Sequence, residues 1–193
     1  NEFSYKNFTL SVLLDGQVGG KMYSHSHHKM TEQGKLAHTL NGRLPGTEFY
    51  MSKDDPRIAT AGLSPQDGMY MIAPGVVKND DGSFSKNTKV VTVESYYKEF
   101  YRMANVETNT FSTDFLKLRE MRLEYKLPGS TLKKTPFSKA SIAFYARNLF
   151  CITDYPLFDP ESAALNGSSM VTGVETGSLP TARTFGLNIN LSF

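Results

Sequence analysis

Four histidines are the first residues with the means to do chemistry. His25, His27 and His28 stand almost together and His38 follows shortly after, and imidazole is a common metal ligand. No cysteine lies nearby and acidic residues are sparse around them, so the stretch Ser24–Met30 reads as a solvated loop rather than a structural zinc site. Asn79-Asp80-Asp81-Gly82 invites a calcium reading. With Gly82 at the sixth position of such a loop, however, the twelfth is Thr88, where a bidentate Glu is needed, so a hairpin turn is predicted instead. Ser, His and Asp are scattered without a nucleophile elbow, and no Gly-rich phosphate loop occurs. No catalytic, cofactor-binding or metal residue is therefore predicted, and the chain reads as a non-enzyme. Tyr96, Tyr97, Phe100, Tyr101, Tyr155 and Phe158 could stack on a sugar or peptide, or meet a partner protein. For any one of them, packing within its own loop is the favoured reading.

The elements that must carry these residues are β-strands and very long loops. Of 193 residues 39% are apolar, below the roughly 45–50% of an average soluble domain, with 13 Phe, 10 Tyr and no Trp. A formal charge of +2 from balanced acids and bases gives no basic field for nucleic acid. No run of 18 apolar residues exists, which excludes a membrane-spanning helix but not a barrel. Cys151, the single cysteine, has no partner for a disulfide. The chain starts at Asn1 and its first residues lack the features of a signal peptide, so an N-terminus lying elsewhere is expected.

The clearest strand is terminal. Phe185, Leu187, Ile189, Leu191 and Phe193 alternate with Thr184, Gly186, Asn188, Asn190 and Ser192, which places one apolar and one small polar set on opposite faces. Phe185 to Phe193 has the roughly 9–11 residues that cross a bilayer as a tilted strand, with an aromatic at each end. An edge strand of a soluble sandwich alternates in the same way. Ala140, Ile142, Phe144 and Ala146 alternate with Ser141, Ala143, Tyr145 and Arg147. Met121, Leu123, Tyr125 and Leu127 oppose the charged set Glu120, Arg122, Glu124 and Lys126. Leu116 and Leu118 are out of phase with that strand, so a bulge or strand start is expected near Lys117. Phe8, Leu10, Val12 and Leu14 make a fourth strand.

The predicted strands are thus about 7–15, 115–127, 139–153 and 184–193. A Pro/Gly turn over about 128–138 joins two of them, whereas about 16–114 and 154–183 are long, irregular connections. Short turns at one end and long loops at the other are the habit of bacterial barrels, whose long loops are extracellular. That puts the turn and the C-terminus on the periplasmic side. One helix is legible in the first loop: Val93, Tyr96, Tyr97, Phe100 and Tyr101 share a helical face behind a Thr92 N-cap. Four strands cannot close a barrel, and an open edge in lipid leaves backbone groups unpaired, so the remainder of a barrel is expected on the N-terminal side.

Four segments resemble the C-terminal part of the SusC/RagA-like family of TonB-linked outer-membrane transporters. They are Phe115 to Pro128; Asn148-Leu149-Phe150 with Thr153-Asp154-Tyr155 and Asp159-Pro160-Glu161; Pro180 to Phe193; and Asn7 to Ser11 with Asp15-Gly16 and Gly19-Gly20. The likeness is weakest over roughly residues 25–90. Two features depart from the family pattern, the direct Phe185-Gly186 step and the histidine-rich stretch.

The resemblance implies an all-β fold: the last four antiparallel strands of a transmembrane barrel of about 22 strands, with long extracellular loops carrying a short helix, the plug and N-terminal barrel being absent. It implies multi-pass insertion in the outer membrane and TonB-dependent import of oligosaccharides or peptides, with no cofactor. Implied partners are a SusD-like surface lipoprotein, the rest of the barrel, TonB and the barrel-assembly machinery, with no nucleic acid. Phe185, Leu187, Ile189, Leu191 and Phe193 would face lipid and carry the assembly signal. The aromatics Tyr96, Tyr97, Phe100, Tyr101, Tyr155 and Phe158 would be the contacts for cargo or lid. The alternatives are another outer-membrane barrel without TonB coupling and a secreted soluble β-sandwich binding module.

Overall fold

Period-two alternation builds the main sheet of the molecule. In the computed structural model, which describes residues 1–157, 159–161, 164–166 and 169–193, the elements in chain order are β1 (Glu2–Tyr5), β2 (Phe8–Gln17), β3 (Lys21–Ser24), α1 (His25–Glu32), α2 (Pro56–Thr60), β4 (Tyr70–Ile72), β5 (Val76–Lys78), β6 (Phe84–Lys86), β7 (Val90–Thr92), α3 (Val93–Phe100), β8 (Thr110–Ser112), β9 (Phe115–Lys126), α4 (Gly129–Leu132), β10 (Lys139–Thr153), β11 (Ala164–Asn166), β12 (Ser169–Val171), β13 (Val174–Glu175) and β14 (Thr184–Ser192). The fold is mostly sheet, and among the described residues no helix is long and apolar enough to cross a membrane. The chain divides into a sheet unit, residues 1–22, 111–173 and 178–193, and a loop unit, residues 23–110 and 174–177.

The sheet unit is an antiparallel sheet of order β1-β2-β9-β10-β14. It has five strands where the alternation suggested four: Glu2–Tyr5 folds back on β2 through a Lys6-Asn7 turn, with Tyr5 opposite Phe8. Lys6 takes a positive φ of 54° there, as tight hairpin turns require. Because Phe8 pairs with Tyr125 and Lys139 with Ser192, the Lys6-Asn7 turn, the 127–138 connection and the end of β14 share one end of the sheet. Both long connections leave from the other end. At the turn end Phe137 packs on Phe193, 5.1 Å between ring centroids, and Ser138 N–H donates to the Ser192 carbonyl.

The phase change in β9 is a bulge. Glu120 pairs with Leu13 but Leu118 with Leu14, so Arg119 is the extra residue, and β10 shifts register at the same level between Arg147 and Phe150. The bulge stands two residues C-terminal to the expected Lys117. It keeps Leu116 and Leu118 on the face of Leu123 and Met121, which an unbroken strand would not do.

The loop unit is built on capped helices and short hairpins. Thr92 caps α3, its hydroxyl accepting from Ser95 N–H at 3.0 Å, and Glu94 in the first turn pairs with Lys98 one turn on. The β4–β7 pair sends alternate residues to opposite sides. Tyr70 joins Met51 and Ile58, with Ile72 and Val90 against them; Met71 joins Val93 and Tyr97. Asn79–Gly82 is indeed the turn of a hairpin, β5–β6. Where one helix was legible in this loop, there are three: α3, the short α2 behind the Asp55-Pro56 start, and α1 across the histidine-rich stretch.

The α1 helix overturns the solvated-loop reading. Ser24 is its N-cap, accepting from His27 N–H at 3.0 Å. At its end Lys35 N–H reaches Met30 O and Gly34 N–H reaches Thr31 O, with Gly34 at φ 68°. That is a Schellman ending, for which a left-handed glycine is the usual residue. His27 and His28 are 7% and 1% exposed.

Candidate functional site

The five paired strands present two unlike faces. On one, Tyr5, Phe8, Tyr125, Ile142 and Ile189 form a row; the next holds Phe3, Leu10, Leu123, Phe144 and Leu187; a third holds Val12, Met121, Ala146 and Phe185. Beyond the bulge the face continues with Leu14, Leu118 and Phe150. Its large side chains on the terminal strand stand open, Phe185 60% exposed, Leu187 68% and Ile189 64%, while Ala146 between Met121 and Phe185 is covered. An apolar patch of this extent on a soluble monomer would be an aggregation liability, so it marks an interaction surface.

The opposite face is polar. Ser4, Thr9, Glu124, Ala143 and Asn188 share one row, and Glu2, Ser11, Arg122, Tyr145 and Gly186 the next. Its charges pair with one another. Glu124 accepts from Ser141 at 2.7 Å and from Arg122 at 3.1 Å, and Arg147 donates to Glu120 at 2.9 Å. Leu13 is an exception, an apolar residue opposite Glu120. The ring of Tyr145 lies across Gly186, where a Cβ would meet its Cζ at 2.4 Å. Gly186, which directly follows Phe185, is thus a seat for its cross-strand aromatic.

At the end from which the long connections leave, the polar face carries an ion cluster that the sequence reading did not foresee. Lys117, 4% exposed, donates to Asp159 at 2.5 Å and to Glu161. Arg119 bridges Glu161 and Asp15, at 2.5 and 2.7 Å. Thr181 donates to the second Asp159 oxygen at 2.8 Å, so Asp159 ties both ends of the 154–183 connection to the sheet. Burial pushes the Asp159 carboxyl up, but Lys117, the Glu161 N–H and the Thr181 hydroxyl together hold it below its ordinary value. The signal was present in the Asp-Pro-Glu run and two cations at alternate positions of β9, but the bulge that puts Lys117 on the polar side hid the connection.

The predicted aromatic contacts divide. Tyr96 and Phe100 stack at 5.4 Å and line, with Pro74 and Val91, an open cleft of about 370 Å³. Tyr97 points inward, 4% exposed, its hydroxyl donating to the carbonyls of His38 and Asn41 at 2.7 and 3.1 Å; burial and the neighbouring Tyr101 and Tyr96 push it up to about 12. Tyr101 stacks on His38 at 5.2 Å. Tyr155 belongs to the sheet unit, is 5% exposed and meets Phe111 edge-on. Phe158 lies outside the described residues. Among the described residues of the set, Tyr96 and Phe100 line an open cleft and are placed to touch another molecule.

The histidines are a packing and hydrogen-bonding hub. His27 stacks on His38 at 5.1 Å and its Nδ1 lies 2.9 Å from Asn109 Oδ1. His28 Nε2 lies 2.8 Å from Glu32 Oε1, and its Nδ1 lies 3.1 Å from the Tyr23 hydroxyl. Burial lowers the His27 pKa, against the Asn109 hydrogen bond, and burial with the nearby His27 lowers that of His38. Buried Glu175 accepts from Ser24 and Ser26, at 2.7 and 2.8 Å, fastening β13 to the start of α1. Among the described residues no cluster of three or more His, Cys, Asp or Glu could hold a metal.

No protein-family model matches the chain. TonB-dependent receptor P3 of Formosa agariphila is 31% identical over 87 residues, 43% of this chain and 9% of that protein. Among solved structures, the RagAB peptide importer in its closed-closed state matches 98% of this chain with a TM-score of 0.55 at 21% identity. Its open-open state gives 0.50 at 17%. This chain spans 16% of the length of each of those solved chains. At such identities the structural match establishes the fold alone, and the named relative supplies the TonB-dependent receptor likeness.

Proposed function

We propose that this chain is a segment of a SusC/RagA-like protein and supplies wall strands and extracellular loops to a TonB-dependent importer in the outer membrane, a reading that the receptor likeness and the shared fold support. The observation that carries the reading is the continuous apolar face, open along its rows, backed by a face of self-neutralised charges. Hydrocarbon suits the first face and a watery lumen the second. Among the described residues both edge strands, β1 and β14, have one side unpaired. In lipid those groups require further strands, and a barrel of about 22 strands would provide them.

Short turns at one end of the sheet and long connections at the other support the following orientation for this reading. The Lys6-Asn7 turn, the 128–138 turn and Phe193 lie in the periplasm, and the connections 16–114 and 154–183 lie outside the cell. The loop unit then sits where cargo arrives, and its Tyr96–Phe100 cleft meets either the cargo, peptide or oligosaccharide, or a SusD-like lipoprotein closing the mouth. TonB would act through a plug outside this segment, and the barrel-assembly machinery would read the Phe185–Phe193 alternation.

Single cysteines test the wall in the parent protein, in native outer membranes and with Cys151→Ser as background. A water-soluble maleimide is expected to label Asn188→Cys and not Ile189→Cys, and a lipid-soluble photoprobe the reverse. Equal labelling of both by the aqueous reagent would remove the membrane reading.

A further inference from the structure

A cleft of about 530 Å³ in the loop unit opens at the root of the β5–β6 hairpin and is lined by Glu48, Phe49, Tyr50, Arg57, Pro74 and Lys86 among others. Its three charges are not equivalent. Arg57 is committed to Asp55, by Nε at 2.9 Å and Nη2 at 2.6 Å, and that pair holds the Asp55 carboxyl down at about 2. Lys86 and Glu48 have no ion pair or side-chain hydrogen bond among the described residues, with each other or with any neighbour. One cleft therefore offers an uncommitted cation and an uncommitted anion on different segments, between apolar walls from Phe49, Ile72 and Pro74.

We infer that this cleft is a binding subsite for short peptides with free ends, the carboxylate meeting Lys86, the ammonium meeting Glu48 and an apolar side chain resting on Phe49 and Pro74. A neutral oligosaccharide leaves both charges without a partner, whereas a zwitterion satisfies both with charge-assisted bonds. The hairpin itself lacks support: all six of its strand residues are exposed, Val76 at 65% and Phe84 at 67%. Its root is held by Asn87, whose N–H donates to Gly75 O and whose side chain donates to Ala73 O at 2.9 Å. A two-stranded hairpin of this kind is marginal on its own, and a ligand joining Lys86 to the segment bearing Glu48 steadies it. The inference rests on the importer reading and names its cargo class.

The test uses the full-length protein in detergent, with trileucine, its N-acetyl and C-amide forms, and maltotriose as probes. By calorimetry, free trileucine is expected to bind tightest, with about tenfold loss on blocking either end, and to slow amide exchange over residues 76–86. Lys86→Gln is expected to erase the difference between acid and amide while keeping that between free and acetylated amine; Glu48→Gln does the opposite. Unchanged exchange around Ile58 and Met71 verifies that both variants fold. Equal affinity for free and blocked peptides, maltotriose binding as tightly as trileucine, or discrimination unaltered in both variants would each overturn the subsite. Because the cysteine labelling reports on the wall alone, a correct wall with an indifferent cleft separates the two failures.

Discussion

In the loop unit Ile58 and Met71 are fully covered, while in the sheet Leu187 and Ile189 keep about two-thirds of their surface open and the covered apolar residues are small, Ala143 and Ala146, apart from Phe115 beyond the bulge. The same chain thus follows two opposite rules for large apolar side chains. Water makes the first rule, because burying a side chain of that size is worth roughly 1.5–3 kcal/mol. The second persists only where the surroundings are themselves apolar. Polar groups invert in parallel. The loop unit buries histidines and a glutamate inside hydrogen-bonded networks, whereas the sheet arrays its charges in rows on one open face. The comparison teaches that each unit carries its own solvent in its burial pattern, and it can be broken from either side.

The largest effect is expected where the sheet departs from its own rule, at buried Lys117. Lys117→Met leaves Asp159 without its cation, and breaking a buried pair from one side costs about 3–5 kcal/mol. The parent protein in liposomes should show early proteolysis of the 154–183 connection, with the loop unit's exchange unaltered. In the loop unit, Ile58→Ala should cost about 2–5 kcal/mol, read as faster local exchange around α2 with barrel insertion intact. Loss of insertion would mean that the two units do not answer to separate solvents. On the wall, Ile189→Arg should cost about 2–4 kcal/mol, and Asn188→Arg far less, by urea unfolding in liposomes. Equal penalties would collapse the two faces into one.

The long strands were legible because period two is strong when every second residue of nine is Leu, Ile or Phe, as from Phe185 to Phe193. β1 was missed because four residues, Glu2 to Tyr5, are too few to show a period, and its turn is Lys6-Asn7 rather than a glycine pair. The helix α3 was legible from its stripe and its Thr92 cap. α1 was not, because His-Ser-His-His-Lys-Met-Thr-Glu has no apolar stripe; its caps, Ser24 and Gly34, were the readable signs. The ion cluster depends on Asp159 and Glu161 meeting Lys117 and Arg119 across some forty positions, which no local pattern reports. The facing of Tyr96 and Phe100 against Tyr97 and Tyr101 also needed three dimensions, since all four share one helical stripe.

Acid sharpens the comparison most gently, because protonation can be relieved by local opening. His27 and His38 are stacked and neutral, facing His28, Tyr97, Tyr101 and Asn109, and their folded pKa values are depressed below the ordinary 6.5. In the window between the depressed values and about 6.5 the unfolded chain binds more protons than the folded one, so stability rises with pH there. The hub's contribution is therefore complete above about pH 6.5 and is lost as pH falls through the folded values. Amide exchange of α1 and α3 in the parent protein should quicken on acidification across that window, while exchange in β10 and β14 stays flat. His38→Gln should remove the His38 share of the change, because a neutral side chain in the same stack has no proton to gain, and leave that of His27. An α1 whose exchange ignores pH, or a sheet that responds equally, would show that the histidines do not hold the loop unit as a separately stabilised body.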